Sequence, residues 1–257
     1  STSQVQVRDF RVFPNLDANY EDGTLRVEAD LRNLSKKKVK GYTLSYSLYA
    51  NKLYSDDNEL VEGVGGTYKL DEMEKGGKLC SKTEITVPGP RKWSAEAPYR
   101  YVLVGQLKDK KGRVVETFST ALGFCKVYVN GKTVKLKGVN RQEINPATGN
   151  AITVKQMEEE IMLMKRGNIN HVRNSHYSND PHWYYLCDKY GIYLEDEANI
   201  ESHQYYYGEA SLSHVPEFEA AHVARVMELA HAHVNHPSVV IWSLGNEAGP
   251  GKNFVTA

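Results

Sequence analysis

The apolar residues of this chain change their spacing near residue 125, and the change divides it into two kinds of structure. Upstream, Leu25, Val27, Ala29 and Leu31 interleave with Arg26, Glu28, Asp30 and Arg32. A period of two places alternate side chains on opposite faces, so residues 24–32 are predicted to be a strand with one buried face. Tyr42, Leu44, Tyr46 and Leu48 repeat the pattern, as do Tyr99, Tyr101 and Leu103 after Pro98. Turn signals separate the runs: Glu21-Asp22-Gly23, Gly65-Gly66, Gly76-Gly77 and Asp109-Lys110-Lys111-Gly112. No helical period is visible in the first 125 residues. Residues 1–125 therefore read as an antiparallel β-sandwich of immunoglobulin type, with a scaffolding role.

Downstream the period becomes helical. Thr153 caps a helix with Gln156 reaching back, and Val154, Met157, Ile161 and Met164 form its apolar face up to Gly167. Asp180-Pro181 opens a second helix through Trp183, Tyr184 and Cys187 to Gly191, and Ser213–Val234 is predicted as a third. Short apolar runs without alternation lie between them: 171–173, 192–194 and 239–242. Continuous apolar strands separated by helices imply a parallel sheet covered by helices.

Strand and helix alternate from Lys135 onward, which suits a doubly wound sheet or a (β/α)8 barrel. A dinucleotide fold needs a Gly-rich first turn, which Gly138-Val139-Asn140 lacks, and Gly63-Val64-Gly65-Gly66 breaks the spacing within the β half. Polar clusters instead follow each strand: Asn140 to Glu143, Asn174 to His176, Glu195 to Glu201 and Asn246-Glu247. Barrels carry their chemistry on that rim. The fold class is thus multidomain: a sandwich over 1–125, then over 126–257 the first half of a (β/α)8 barrel. A barrel takes about 250 residues, so these residues are expected to be an internal piece of a longer protein.

Composition narrows the partners. Lys+Arg and Asp+Glu are 32 each, a formal charge of zero, so no nucleic-acid or anionic-membrane footprint is expected, and no apolar run approaches the roughly 18 residues of a membrane span. Cys80, Cys125 and Cys187 form no C-x-x-C pair, and the first 30 residues show no signal peptide. The sequon Asn33-Leu34-Ser35 carries little weight alone.

Glu247 follows the most apolar strand. Desolvation at that strand mouth would raise its pKa toward the range of a general acid; the alternative is a helix N-terminal carboxylate answering the macrodipole. Asn246 beside it can hold a sugar hydroxyl. Glu201 and His203, two apart at a strand end, suit a divalent cation, with Mg²⁺ favoured by oxygen donors, or a salt bridge. His176 reads as a hydrogen-bonded core residue, and His222, His231, His233 and His236 as surface residues.

Taken together, Gly138-Val139-Asn140-Arg141, Val172 to Tyr177, Leu186 to Gly191, Asp196 to His203 and Asn235 to Glu247, with Trp93-Ser94-Ala95-Glu96 upstream, closely resemble bacterial β-galactosidases of glycoside hydrolase family 2. The resemblance implies a retaining hydrolase of terminal β-galactosyl residues with Glu247 as acid/base and Asn246 on the sugar 2-hydroxyl. It also implies Mg²⁺ on Glu201, His203 and Glu247, with room for a monovalent cation in the longer protein. Arg173 and His176 line the sugar pocket, the nucleophile lies outside these residues, and the piece alone is inactive. Partners implied are a β-galactoside or related oligosaccharide and, for the longer bacterial protein, a homo-oligomer, in cytoplasm or periplasm. Gln142 stands where the family usually has a histidine touching the sugar, Ser178 replaces a proline and Gln204 a glycine; the family's preceding sugar-binding domain is not among these residues. A different glycon within the family, or a non-catalytic carbohydrate-binding or structural piece, are the alternatives.

Overall fold

The computed structural model describes residues 4–125, 135–205 and 211–257, apart from the side chain of Gln204. The chain divides into two compact units, 1–132 and 133–257. The expected boundary after residue 125 adjoins residues 126–134, outside the described residues.

The first unit is built from β1 (Val5–Leu16), β2 (Gly23–Asn33), β3 (Thr43–Asn51), β4 (Asn58–Lys69), β5 (Lys78–Val87), β6 (Tyr101–Lys108) and β7 (Val114–Leu122). They form sheets of order β1-β2-β5 and β4-β3-β6-β7, with every pair antiparallel. The alternation read in β2 appears as strict burial of Leu25, Val27, Ala29 and Leu31, which meet Leu44, Tyr46, Leu48, Leu103 and Leu107 in one core. Burying each of these large side chains contributes about 1.5–3 kcal/mol. The fourth strand pairs with β3 rather than β5, so the sheets are three and four strands instead of the four and three of a constant immunoglobulin domain. Tyr101, at the start of β6, accepts the backbone N–H of Arg91 at 2.7 Å, a tyrosine-corner type of contact. Asn33 is fully buried and its amide donates to the carbonyls of Lys37, Met73 and Glu74, so the sequon asparagine is a structural tie.

The second unit runs β8 (Gly138–Arg141), α1 (Val154–Arg166), β9 (His171–Asn174), α2 (Pro181–Tyr190), β10 (Tyr193–Glu197), α3 (Glu219–His233), β11 (Val239–Ser243) and α4 (Lys252–Thr256). The strands are parallel and adjacent in chain order. A doubly wound sheet would reverse its strand order at a switch point; sequential order is that of a barrel wall. The capping box of Thr153 and Gln156 is formed, and Asp180 accepts the N–H of His182 above Pro181. Among the described residues no helix is long and apolar enough to cross a membrane.

Two expectations are corrected. The third helix does not begin at Ser213: 212–214 and 216–218 are single 3-10 turns, and α3 starts at Glu219. The histidines near it are not all on the surface. His222, Val226, Leu229 and His233 follow an i, i+4, i+7, i+11 stripe, and both histidines in it are buried, whereas His231 on another face is exposed.

Burial of polar side chains against α2 and α3 is offset by hydrogen bonding. Asp196, fully buried, accepts from Asn174 at 3.1 Å, from the Tyr184 hydroxyl at 2.7 Å and from His233 at 2.6 Å, while His233 stacks on Tyr184 with centroids 3.8 Å apart. Asp188 likewise accepts from His236 at 2.6 Å.

Candidate active site

Along β9 and β10, Val172 and Leu194 face the helices. The alternation of a strand therefore turns Arg173, Glu195 and Glu197 to the opposite face. Glu197 is the hub of that face. It is fully buried, and its Oε2 accepts from Arg173 Nε (2.8 Å), Arg173 Nη2 (2.6 Å) and Ser243 Oγ (2.7 Å). Its Oε1 lies 2.8 Å from His176 Nδ1. A carboxylate only accepts, so Nδ1 is the donor in this contact, and Nε2 is the ring nitrogen left outside it.

Arg173 extends the network to the next strand end, donating from Nη2 to Asn246 Oδ1 at 2.9 Å. The Asn246 amide nitrogen donates in turn to both oxygens of Glu201, at 3.1 and 2.9 Å. A parallel bridge between Glu201 and Asn246 continues the β10–β11 pairing into the loops, with Asn246 N–H on Ile200 O at 2.9 Å. Gly245 makes this approach possible: at φ +146 a Cβ would lie 2.5 Å from Ile200 O and 2.9 Å from Ile200 Cβ.

Glu201, His203 and Glu247 converge, each offering a ligand atom within 4.8 Å of the others, and His203 Nδ1 contacts Glu247 directly. Two carboxylates and one imidazole, all exposed, suit a hard divalent cation that keeps part of its water shell. His203 and Glu247 hold positive φ, 40° and 43°, a conformation that costs a non-glycine residue free energy and gathers at functional sites.

The sequence readings fare unevenly. Arg173, His176, Asn246 and Glu201 belong to one hydrogen-bonded set through Glu197 at the carboxyl ends of β9, β10 and β11, and Glu247 and His203, in contact with each other, lie with ligand atoms within 4.8 Å of that of Glu201. Gln142 is exposed beyond β8, and among the described residues no hydrogen bond or ion pair joins its side chain to that set. The expected desolvation of Glu247 is not observed, since its side chain is 45% exposed. Trp242 at 42% and Leu244 at 40% are exposed with it, because β11 has a hydrogen-bonded neighbour on one side only among the described residues. Glu197 and Ser243 were not singled out. The signal for Glu197 was available, because Glu195 and Glu197, two apart on β10, fall by strand alternation on the face of Arg173.

Comparison with known proteins agrees with this architecture. A family model described as "Glycosyl hydrolases family 2, TIM barrel domain" matches residues 123–257, and one described as "Glycosyl hydrolases family 2" matches 5–124. The beta-galactosidase of Priestia megaterium is 38% identical over 268 aligned positions, covering 99% of this chain and 25% of that protein. That of Alteromonas mediterranea is 39% identical over 255, covering 95% and 23%. The chain thus spans about a quarter of the length of these curated relatives. In fold it is similar to a family 2 member from Bacteroides cellulosilyticus (TM-score 0.77, 23% identity, 98% of this chain and 33% of that one). A Parabacteroides merdae beta-glucuronidase gives 0.73 at 22% identity, covering 95% and 30%. With a sandwich, a sequential parallel barrel wall and two family models that together span residues 5–257, the chain belongs to glycosyl hydrolase family 2.

Proposed function

We propose that this chain is the acid/base-bearing part of a retaining β-galactosidase. The observation that carries the reading is the placement of Glu247 beside Asn246, with Glu201 and His203 against it, on the carboxyl rim of parallel strands. Glu247 donates a proton to the departing glycosidic oxygen and then takes one from the incoming water. Asn246 has its carbonyl oxygen held by Arg173 and its amide nitrogen on both oxygens of Glu201, so the plane of the amide is fixed beside Glu247, where a sugar hydroxyl would meet it. His176, oriented by Glu197, presents Nε2 to the same face. Retention needs a second carboxylate roughly 5 to 5.5 Å from the acid/base; we assign it to the longer protein outside these residues, so the 257-residue chain alone does not turn over galactosides.

Mg²⁺ fits the donor set of Glu201, His203 and Glu247, and when bound it supplies positive charge that fixes the carboxylates. A second reading, another family 2 exo-β-glycosidase with a different glycon, is favoured by Gln142, whose amide stands in place of a sugar-contacting imidazole. We also assign the longer protein to a homo-oligomer. Turnover by that protein on nitrophenyl β-galactoside, β-glucuronide, β-mannoside and β-glucoside, with Mg²⁺ and with chelator, tests the proposal. Galactoside preference lost on chelation, and a fall of about 10²–10⁴-fold in Glu247→Gln on poor leaving groups, are expected. Preference for another sugar favours the second reading, and full activity of Glu247→Gln overturns both.

A further inference from the structure

We propose that the first unit carries a docking groove for a polyanionic glycan, formed by the β2–β3 and β6–β7 connections. The polymer class rests on the glycosidase reading; the groove does not.

The chain is neutral overall, yet the basic segment Lys36-Lys37-Lys38-Val39-Lys40, together with Lys110 and Arg113, lines one groove of about 820 Å³. The two connections pack together, since a Cβ at Gly41 would lie 3.2 Å from Lys110 Cβ. The acidic groups nearby are already engaged. Asp109 accepts from Arg113 Nε and Nη2 at 2.8 and 2.6 Å and from the backbone N–H groups of Lys111 and Arg113. Glu72 and Glu74 hold Lys38 at 2.8 and 2.9 Å, with Lys40 close to Glu72. Lys36, Lys37 and Lys110 are exposed and have no ion pair among the described residues.

Lys36, Lys37 and Lys110 gather on one groove without a counter-charge among the described residues and repel one another there, so the complement we infer is a ligand that supplies the opposite sign. The backbone under it is fixed. Lys37 O accepts from the Asn33 amide at 2.8 Å and from Ser35 Oγ at 2.7 Å, so the ammonium groups leave from a rigid base.

The shape and lining select the ligand. The groove is concave, with Tyr42 and Val39 half-buried in its wall and Leu34 59% exposed at its edge. A sugar chain can lay its C–H face on such apolar atoms while sulfate or carboxylate substituents meet the lysines. A membrane would call for a protruding amphipathic face. Base reading in a nucleic-acid groove would call for free arginine forks, and Arg113 is committed to Asp109; lysine-to-phosphate binding without base reading is the outcome the DNA comparison detects.

The test is binding of the 257-residue chain to dextran sulfate, with neutral dextran, phosphatidylserine vesicles and duplex DNA as comparisons at equal charge concentration. Dextran sulfate should bind at 50 mM salt and weaken strongly by 300 mM, and neutral dextran should not bind. Lys36→Glu/Lys37→Glu/Lys110→Glu should raise the Kd at least tenfold and the matching Lys→Gln variant by less. Lys52→Glu/Lys155→Glu/Lys252→Glu, which changes the net charge equally elsewhere, should stay within threefold of the parent chain. Equal weakening in both glutamate triples, no binding of dextran sulfate, equal binding of neutral dextran, or tighter binding to vesicles or DNA would overturn the proposal. None of these readouts depends on turnover, so failure here leaves the glycosidase reading to its own test.

Discussion

Arg173 places both Nε and Nη2 on a single oxygen of Glu197, 2.8 and 2.6 Å away, leaving the other oxygen to His176. Because the same Nη2 also reaches Asn246, one guanidinium couples the ends of three parallel strands, and the pair is the structural root of the site.

Glu197→Gln should therefore destabilise the second unit. The amide replaces an acceptor of four contacts at a fully buried position and strips Arg173 of its counter-charge. Breaking a buried pair by removing one partner costs about 3–5 kcal/mol, and the lower end applies because Arg173 keeps 24% exposure. Glu195, 3.8 Å from Arg173 Nε and 26% exposed, serves as control, with Glu195→Gln costing under about 1 kcal/mol. Chemical denaturation of the two variants checks the order; equal losses would refute the hub role of Glu197.

Gly245→Ala should separate clash from conformational strain. A Cβ there collides with Ile200 backbone, whereas at Gly63, with φ +75, nothing lies within 4 Å. Gly63→Ala therefore costs only the left-handed backbone penalty, about 1 kcal/mol. Gly245→Ala must in addition push the 245–247 loop away from 200–201, breaking the Asn246–Glu201 contacts. A larger loss of stability than in Gly63→Ala, accompanied by weaker divalent-metal binding, is expected; an unchanged metal affinity would count against the bridge as the organiser of the site.

The pair of His236 and Asp188 should make stability depend on pH. Burial opposes the charged ring, but attraction to Asp188 and their hydrogen bond, with Asp196 farther off, outweigh it and raise the pKa above the ordinary histidine value of 6.5. A raised folded pKa means stabilisation that is complete below the unfolded value near 6.5 and is lost as pH rises through the folded one. The stability gap between the parent chain and His236→Gln should accordingly be larger at pH 6 than at pH 8.5. Melting curves at the two values decide it, and a gap that widens with pH would contradict the ion pair.

These residues also show what local sequence could and could not convey. The β2 alternation and the Thr153 capping box depend on neighbours a few positions away, so both were legible. The burial of His222 and His233 was legible in principle from the stripe through Val226 and Leu229, but only once α3 was known to start at Glu219. Pro216, inside the span 213–234 predicted as that helix, instead opens a 3-10 turn. The exposure of Glu247 was not legible, because desolvation at a strand end depends on the strand lying beyond it, which no local pattern specifies. Glu201 and His203 were paired by their spacing, whereas Glu247 was joined to them only through family resemblance; its approach is made by a loop bridge between residues some 45 positions apart in sequence.

Removing one ligand from that trio should reveal whether it holds a cation. Titration calorimetry of the chain with Mg²⁺ is expected to show binding that Glu201→Gln and His203→Ala each weaken at least tenfold. A ligand that binds only the folded state stabilises it by about 2.7 kcal/mol at one hundred times its Kd, so excess Mg²⁺ should also raise the melting temperature of the parent chain and chelator should reverse the rise. Asn246→Ala makes the distinction between ligand and support. It leaves all three donors in place but releases Glu201 from the contact that orients it, so it should weaken Mg²⁺ less than Glu201→Gln does. If Asn246→Ala and Glu201→Gln were equally damaging, the asparagine bridge, not the carboxylate itself, would be what the cation depends on; if neither changed the titration, the trio would be a salt-bridged cluster and not a metal site.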